Sequence, residues 1–142
     1  MSDNFETLEN FIARNRITMV CERADDNPDF GNDGRDMDHW RVVLRLKAKT
    51  QTRSFSTFFS MYRGYNGATP DADTVLDCLA SDASAVENTS GFEDWADEVG
   101  YSTDSRTAER IYKALQRNAK RLRAFLGEAE YRKLISHQVE SL

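Results

Sequence analysis

Residues 39–49 read HWRVVLRLKAK, and the alternation of apolar and charged side chains predicts a β-strand. Every second residue is apolar and would lie on one face of that strand: Trp40, Val42, Leu44 and Leu46. The other face would carry Val43 and the cations Arg41, Arg45 and Lys47. A strand with one apolar and one charged face predicts a sheet that covers a core on one side only.

Two neighbouring segments complete this sheet. Residues 16–23, RITMVCER, alternate in the same way, and residues 53–63, RSFSTFFSMYR, are rich in the aromatic and hydroxyl side chains that favour strands. A long polar loop and a short turn near residues 50–51 join the three segments. The simplest arrangement is an antiparallel meander of three strands.

Helical periodicity precedes and follows the sheet. An N-terminal helix is predicted over residues 4–13, with Asp3 as its cap and Glu6 completing a capping box. After residue 68 the apolar period changes from two to 3.6, which predicts four more helices. The first would begin at Thr69-Pro70-Asp71, with Thr69 as its cap, and the second at a capping box of Ser90 and Glu93, ending at Gly100. The last two would span about residues 104–126 and 128–137.

The predicted fold class is therefore α+β: an N-terminal helix, a three-stranded antiparallel sheet and a C-terminal bundle of about four helices. The chain of 142 residues is the size of one ordinary domain, so residues 1–142 are expected to form a single domain. Within it, residues 1–68 would supply the first helix and the sheet, and residues 69–142 the helical portion.

The composition indicates a protein that stays where it is made. There is no long apolar run for a membrane helix, and the N-terminus MSDNFETLEN lacks the apolar segment of a signal peptide. Cys21 and Cys78 belong to no CxxC pattern, which predicts two free, buried thiols in a reducing compartment. A cytoplasmic protein without membrane contacts is expected.

The net charge of −5 is distributed unevenly along the chain. Residues 69–103 carry nine acidic residues and no Lys or Arg, and residues 104–142 carry a net charge of +4. We predict a partner-binding surface from eight of these acidic residues: Asp71, Asp73, Asp77, Asp82, Glu93, Asp94, Asp97 and Glu98. Such a surface could imitate the phosphates that a nucleic-acid-binding protein expects. The alternative is that the acidic and basic segments pack together and neutralise each other.

A row of cations is predicted along the longest helix. Their spacing of three or four residues places all five on one face: Arg106, Arg110, Lys113, Arg117 and Lys120. This row is either a solvated face opposite the apolar stripe or a ridge that contacts phosphates. The aromatic residues of the third strand also have two interpretations, because Phe55, Phe58 and Phe59 could pack in the core or stack on bases.

The sequence contains no recognisable catalytic signature. The Asp-rich loop of residues 25–38 fails the EF-hand pattern, because Gly31 and Trp40 stand where ligands are needed. Asp36, Asp38 and His39 could suggest a metal-dependent hydrolase, but no second set of carboxylates is identifiable. Serine nucleophile elbows, Walker loops and Rossmann glycine patterns are absent. We expect no enzyme activity, no cofactor and no metal.

Four segments carry a resemblance to a known family: residues 10–28, 35–45, 74–114 and 121–131. They resemble small proteins that are encoded by tailed bacteriophages and prophages, and the main departure lies between Thr50 and Gly67. The resemblance brings no catalytic residue with it. It implies an accessory protein acting in the cytoplasm of an infected bacterial host.

Small acidic phage proteins often bind host or phage machinery. The resemblance therefore implies a non-enzymatic protein that binds a macromolecular partner, such as a CRISPR effector complex in the manner of an anti-CRISPR inhibitor. The alternative is a nucleic-acid-binding accessory protein for phage replication or recombination, which would use the cations of the long helix.

Overall fold

The alternating sequence forms a sheet and the 3.6-residue periodicity forms helices, so the predicted α+β class is confirmed. The computed structural model of the chain describes residues 6–28, 37–62, 69–136 and 138–140. In chain order the elements are β1 (Glu6–Thr7), α1 (Leu8–Arg14), β2 (Ile17–Ala24), β3 (Met37–Lys47), β4 (Thr52–Tyr62), α2 (Ala72–Glu87), α3 (Phe92–Val99), α4 (Arg106–Leu126), α5 (Glu128–Ile135) and β5 (Val139–Glu140).

The three long strands form an antiparallel sheet with the order β2-β3-β4, as the meander predicts. Val42 on β3 lies opposite Cys21 on β2 and Thr57 on β4. The sheet face that bears Val42 is called the inner face, because it is buried against helices. The opposite face, called the outer face, bears Val43 and is open to solvent: Val20 of β2 is 61% exposed there.

The inner face and four helices enclose one apolar core. Each of these helices contributes a side chain that is at most 2% exposed: Phe11 from α1, Leu76 from α2, Phe125 from α4 and Tyr131 from α5. The ring of Phe125 lies 6.0 Å from that of Phe55 on β4, measured between centroids. Full burial of one such apolar side chain stabilises the fold by about 1.5–3 kcal/mol, so the sheet and the helical portion depend on each other.

A second, smaller cluster joins α3 to the first half of α4. Trp95 is 2% exposed, and its ring lies 5.5 Å from that of Tyr101 and 5.2 Å from that of Tyr112. Ala96 and Ala108 complete the contact, and small side chains there allow the two helices to approach closely. This cluster fixes α3 beside α4 and leaves the acidic side of α3 facing outward.

Side-chain caps set the starts of three of the described helices, α1, α2 and α4. Asp71 accepts a hydrogen bond from the backbone N–H of Thr74 at 2.8 Å, so Asp71 caps α2 and the prediction of Thr69 as the cap is wrong. Ser105 caps α4 in the same way, and Gly100, with a φ of 89°, ends α3 as predicted. None of the described helices is long and apolar enough to cross a lipid bilayer.

The N-terminal helix begins four residues later than predicted. Residues Glu6 and Thr7 instead pair in parallel with Val139 and Glu140, and the N–H of Glu6 donates to the carbonyl of Gln138 at 3.1 Å. Thr7 then caps α1 through its hydroxyl, which accepts from the N–H of Asn10. This long-range strand pairing is invisible in local periodicity. The proposed cap Asp3 lies outside the described residues.

Two further helix boundaries differ from the prediction. The carboxylate that reaches back to the N–H of Ser90 is that of Asp94, at 2.9 Å, rather than that of Glu93. The last helix ends at Ile135 rather than at residue 137, because the chain turns there into β5. The backbone N–H of Gln138 donates to the carbonyl of Lys133 at 3.2 Å and closes that turn.

Candidate functional site

The amphipathic pattern of α2 determines which of its acidic residues face solvent. Val75, Leu76 and Leu79 turn toward the core and are at most 8% exposed. Asp73 lies on the opposite side and is exposed, and Asp77 is half-buried at the boundary. Helical periodicity therefore places a row of carboxylates along the outward side of α2.

The short helix α3 displays its acidic residues for the same reason. Trp95 and Ala96 are its buried residues. Four carboxylates occupy the remaining sides and are exposed: Glu93, Asp94, Asp97 and Glu98. Glu93 and Asp94 lie in the first turn, where the positive end of the helix dipole stabilises negative charge.

The eight acidic residues proposed from the sequence are called the acidic face. Six are exposed and two, Asp77 and Asp82, are half-buried. Within the described residues, no Lys or Arg lies within ion-pairing distance of any of the eight. The acidic face is therefore not neutralised by the basic C-terminal helices.

The neutralisation that we considered does occur at the ninth acidic residue of the segment, Glu87. Its carboxylate accepts hydrogen bonds from Arg123 at 3.1 Å and from Arg132 at 3.4 Å. The Tyr131 hydroxyl also donates to it at 3.1 Å, and burial together with this carboxylate raises the pKa of Tyr131 to about 12. Glu87 thus ties α2 to α4 and α5, while the other eight carboxylates are left for solvent or for a partner.

The acidic face is concave around Ser81, which lines three depressions, two of them of about 250 Å³ or more. One has a volume of about 250 Å³, lies between α2 and β4, and is lined by Asp77 and Asp82. The other has a volume of about 420 Å³, lies between α2 and α3, and is lined by Asp94 and Glu98. No Lys or Arg of the described chain lines either depression, so four carboxylates line two depressions that share Ser81.

Two carboxyl groups of the acidic face have raised pKa values. Burial raises the pKa of Asp82 to about 6. The pKa of Asp73 is raised by partial desolvation and by the negative charges of Asp71 and Glu9. Hydrogen bonds from Thr74 lower the pKa of Asp71, as expected for a helix cap. At neutral pH the carboxyl group of Asp82 is therefore mostly ionised, and it gains a proton as the pH falls through about 6.

Asp82 is the residue whose environment the sequence analysis missed. Asp82 follows Val75 by seven residues and Leu79 by three, so helical periodicity places it within the apolar stripe of α2. An acidic residue in such a stripe is the sequence signal for a desolvated carboxylate.

Cys78, a neighbour of Asp82 on α2, is exposed rather than buried as predicted. Desolvation and the charges of Asp82 and Asp77 raise the pKa of the Cys78 thiol to about 11. Cys78 is therefore a protonated thiol at neutral pH and not an activated nucleophile.

The five cations predicted to share one face of the long helix are all exposed on α4: Arg106, Arg110, Lys113, Arg117 and Lys120. They lie opposite the buried stripe that contains Ile111, Leu115 and Leu122. Lys113 forms an ion pair with Glu109 at 3.5 Å. Because α4 packs against the inner face of the sheet, this row is separate from the cations of the outer face.

The possible hydrolase residues do not converge. Asp38 is 6% exposed and accepts a hydrogen bond from Arg23 at 3.0 Å. His39 follows it in a strand and therefore projects to the other side, where its Nδ1 lies 2.8 Å from the Ser60 hydroxyl oxygen. Asp36 lies outside the described residues, as does most of the Asp-rich loop. The described residues contain no group of three or more His, Cys, Asp or Glu side chains that could hold a metal ion.

The aromatic residues of β4 are divided between core and surface. Phe55 and Phe59 are buried in the core, at 1% and 8% exposure. Phe58 lies on the outer face, half-buried under the guanidinium of Arg41, which is 5.6 Å from the centre of the ring. The described part of β4 therefore offers one outer-face aromatic ring rather than a row of stacking platforms.

Comparisons with known proteins do not assign a function to the acidic face. No protein-family model, no curated protein and no solved structure matches the chain. What the acidic face binds must therefore be inferred from its own charge, exposure and shape.

Proposed function

We propose that this chain is a non-enzymatic binding protein whose acidic face docks on a basic surface of a macromolecular partner. The observation that carries the proposal is the set of eight carboxylates without a described cationic partner, four of which line two depressions that share Ser81. Leaving so many like charges close together costs folding free energy through mutual repulsion. A basic partner would relieve that repulsion and would gain long-range electrostatic attraction during association.

The partner class that fits such a face is a protein that normally binds nucleic acid. Its binding channel is lined by Lys and Arg that contact phosphates, and a dense array of carboxylates can occupy the same cations. The exposed side chain of Val99, which is 43% exposed, lines one of the depressions and supplies an apolar contact. The acidic face would then compete with nucleic acid for the channel.

The resemblance to phage-encoded proteins suggests which nucleic-acid-binding protein that is. We extend the proposal to an inhibitor of a host defence system that acts in the cytoplasm of the infected bacterium. A CRISPR effector complex is the partner we favour, because its guide–target channel is strongly basic. This extension rests on the resemblance, whereas the choice of the acidic face rests on the described carboxylates.

The proposal predicts that binding depends on carboxylates that have no structural role. Asp73→Asn, Asp97→Asn and Glu98→Gln together remove three charges from the acidic face without touching the Asp71 cap or the hydrogen bond of Asp94. We expect affinity for a guide-loaded effector complex, measured by biolayer interferometry at low salt, to fall by about tenfold to a hundredfold. The parent affinity should also weaken steeply as salt is raised.

A matched control removes three exposed carboxylates elsewhere: Glu22→Gln, Asp25→Asn and Asp26→Asn. This variant has the same net charge as the first, so it separates a specific surface from a general effect of charge. Equal loss of affinity in both triple variants would show that the acidic face is not the binding surface.

The second candidate function is nucleic-acid binding through the cations of α4, for phage replication or recombination. Their exposure on one helix face favours it. The net charge of −5 and the ion pair of Lys113 weaken the attraction that this row can exert on a phosphate backbone. A gel shift with single- and double-stranded DNA across a salt series would test this function, since Arg110→Gln with Lys120→Gln should abolish any shift.

A further inference from the structure

The outer face of the sheet ends in a cationic depression, at the corner where α1 meets β2 and β3. It has a volume of about 330 Å³, and three cations line it: Arg16, Arg45 and Lys47. The hydroxyl-bearing residues Thr18 and Thr52 also line it. A volume of this size falls within the range of about 300–1,000 Å³ that is typical of small-molecule sites.

The register of the strands explains why these groups converge. Arg45 lies opposite Thr18 on β2, and Lys47 lies opposite Thr52 on β4. Arg45 and Lys47 are two residues apart on one strand, so both project from the outer face about 6–7 Å from each other along the strand. Cations and hydroxyls thus alternate around one end of the outer face.

Arg16 completes the group through an unusual backbone conformation. Its φ of 52° places it in the left-handed region, which arginine rarely adopts. Two hydrogen bonds hold it there: its N–H donates to the carbonyl of Ala13 at 3.1 Å, and its carbonyl accepts from the N–H of Lys47 at 3.3 Å. Because the chain reverses direction at Arg16, this residue joins Arg45 and Lys47 of β3 at the depression.

These three cations differ from five other arginines of the described chain, which each lie within 4 Å of a carboxylate: Arg14, Arg23, Arg41, Arg123 and Arg132. Some further arginines, such as Arg53 and Arg110, also form no ion pair among the described residues, but Arg16, Arg45 and Lys47 are the ones that line a common depression. Arg16, Arg45 and Lys47 have no such partner among the described residues, and no described acidic residue lines their depression. Three neighbouring cations without an acidic partner, in a chain with more acidic than basic residues, leave a local demand for an anion.

Ile12 and Ala13 line the same depression and give it an apolar wall beside the cations. Ile12 is half-buried and Ala13 is exposed, whereas Ile17 is 6% exposed and pairs with Leu46 on the inner face. A ligand with phosphate groups alone would leave this wall unused. A ligand that joins phosphates to a flat, weakly polar ring would use both parts of the depression, which describes a nucleotide.

We propose that this depression binds a nucleotide, with its phosphates on Arg16, Arg45 and Lys47 and its base against Ile12 and Ala13. The nucleotide is either free in solution or part of a single-stranded nucleic acid, because both present the same phosphates and base. Arginine supplies planar, multiple donors to phosphate, and the threonine hydroxyls donate further hydrogen bonds. The site is distinct from the acidic face and does not depend on the function proposed for it.

Three probes distinguish the ligand sources, each titrated into the intact protein in low salt with EDTA. They are ATP, inorganic triphosphate and a fluorescein-labelled (dT)12 oligonucleotide, followed by isothermal titration calorimetry or fluorescence polarisation. We expect saturable binding of ATP, of (dT)12 or of both, and weaker binding of inorganic triphosphate, which lacks a base. If (dT)12 alone binds, the site belongs to a strand of nucleic acid; if ATP binds equally well, it belongs to a free nucleotide.

The variants Arg45→Gln and Lys47→Gln test the assignment of the site. Each is expected to weaken binding by about tenfold or more, because each removes a charge-assisted hydrogen bond to phosphate. For (dT)12, the slope of log K against log salt should be about −2 for three phosphate contacts, and each variant should reduce its magnitude by about 0.7.

Two controls keep the result interpretable. Arg16→Asn removes the third charge with a residue that tolerates a positive φ, so it should retain the melting temperature while it weakens binding. Lys133→Gln removes one exposed cation from α5, outside both proposed binding surfaces, and should leave binding unchanged. The proposal is overturned if none of the three probes binds saturably, if inorganic triphosphate binds as well as ATP and (dT)12, or if the Lys133 variant loses affinity while the three depression variants do not.

Discussion

Asp82 shows how a single residue can couple the stability of the protein to the charge of its surface. Its carboxyl group occupies a position in the apolar stripe of α2, and burial raises its pKa to about 6 from the ordinary value of 3.8. Between these two pH values the folded protein holds a proton that the unfolded chain has lost. Stability from this group is therefore present at low pH and declines as pH rises toward and through about 6.

Replacement of the carboxyl by an amide should remove this pH dependence. Asp82→Asn is expected to raise the free energy of unfolding at pH 7.5 by about 1–3 kcal/mol, because it removes a desolvated charge. At about pH 2.5, where Asp82 is protonated in both states, the same variant should have little effect. Urea denaturation at the two pH values measures the difference, and equal effects at both would show that the charge of Asp82 is not responsible.

At the scale of elements, local sequence signals determine helix ends, and Asp71 is the clearest case. The carboxylate of Asp71 accepts hydrogen bonds from both the N–H and the hydroxyl of Thr74, at 2.8 and 2.7 Å. Its pKa is lowered by these bonds, so the stability it confers is present above its unfolded pKa and is lost as pH falls. Asp73, two residues later, makes no comparable cap and lies among other carboxylates that raise its pKa.

This contrast gives a matched pair of variants. Asp71→Ala should lower the free energy of unfolding by about 1 kcal/mol, because it leaves the first turn of α2 without its cap. Asp73→Ala should be neutral or slightly stabilising, since it relieves repulsion and exposes no backbone donor. Thermal unfolding at pH 7 compares the two, and equal destabilisation would contradict the capping role of Asp71.

The three long strands and all five helices follow from local patterns that the sequence displays, although α1 begins four residues later than predicted. The alternation at residues 39–49 predicted a strand and the apolar stripe of residues 108–125 predicted a helix, because their periods match the geometry of these elements. The pairing of β1 with β5 could not be predicted, since it joins residues more than 130 positions apart through backbone hydrogen bonds alone. The residues of the acidic face could be predicted from the sequence. Only the fold shows that the described cations of the basic helices do not pair with them.

The same limit applies to the cationic depression. The alternation on β3 already indicated that Arg45 and Lys47 share a face. The contribution of Arg16 could not be read locally, because it depends on a left-handed turn and on a hydrogen bond to Lys47 across the corner of the fold. Residue types were therefore predictable, but their convergence was not.

At the scale of the whole molecule, the fold keeps opposite charges apart. Among the acidic residues of the segment, Glu87 alone pairs with a described Arg or Lys of the basic helices, and the acidic face is displayed by α2 and α3 around Ser81. The cationic depression lies at another corner, on the outer face of the sheet. This separation lets one surface attract a basic partner and the other an anionic ligand. Because Asp82 has a pKa of about 6, affinity for a basic partner should weaken as pH falls through that value.

Displacement of nucleic acid from a basic channel tests most directly whether the acidic face competes with nucleic acid for the cations of that channel. Labelled target DNA would be bound to a guide-loaded CRISPR effector complex, and its release by the protein followed by fluorescence polarisation. We expect the parent protein to release the DNA in a saturable manner that salt suppresses. The variant carrying Asp73→Asn, Asp97→Asn and Glu98→Gln should not release it, whereas the control variant at Glu22, Asp25 and Asp26 should remain active. Release that is the same for both triple variants, or no release by the parent protein at low salt, would contradict competition by the acidic face.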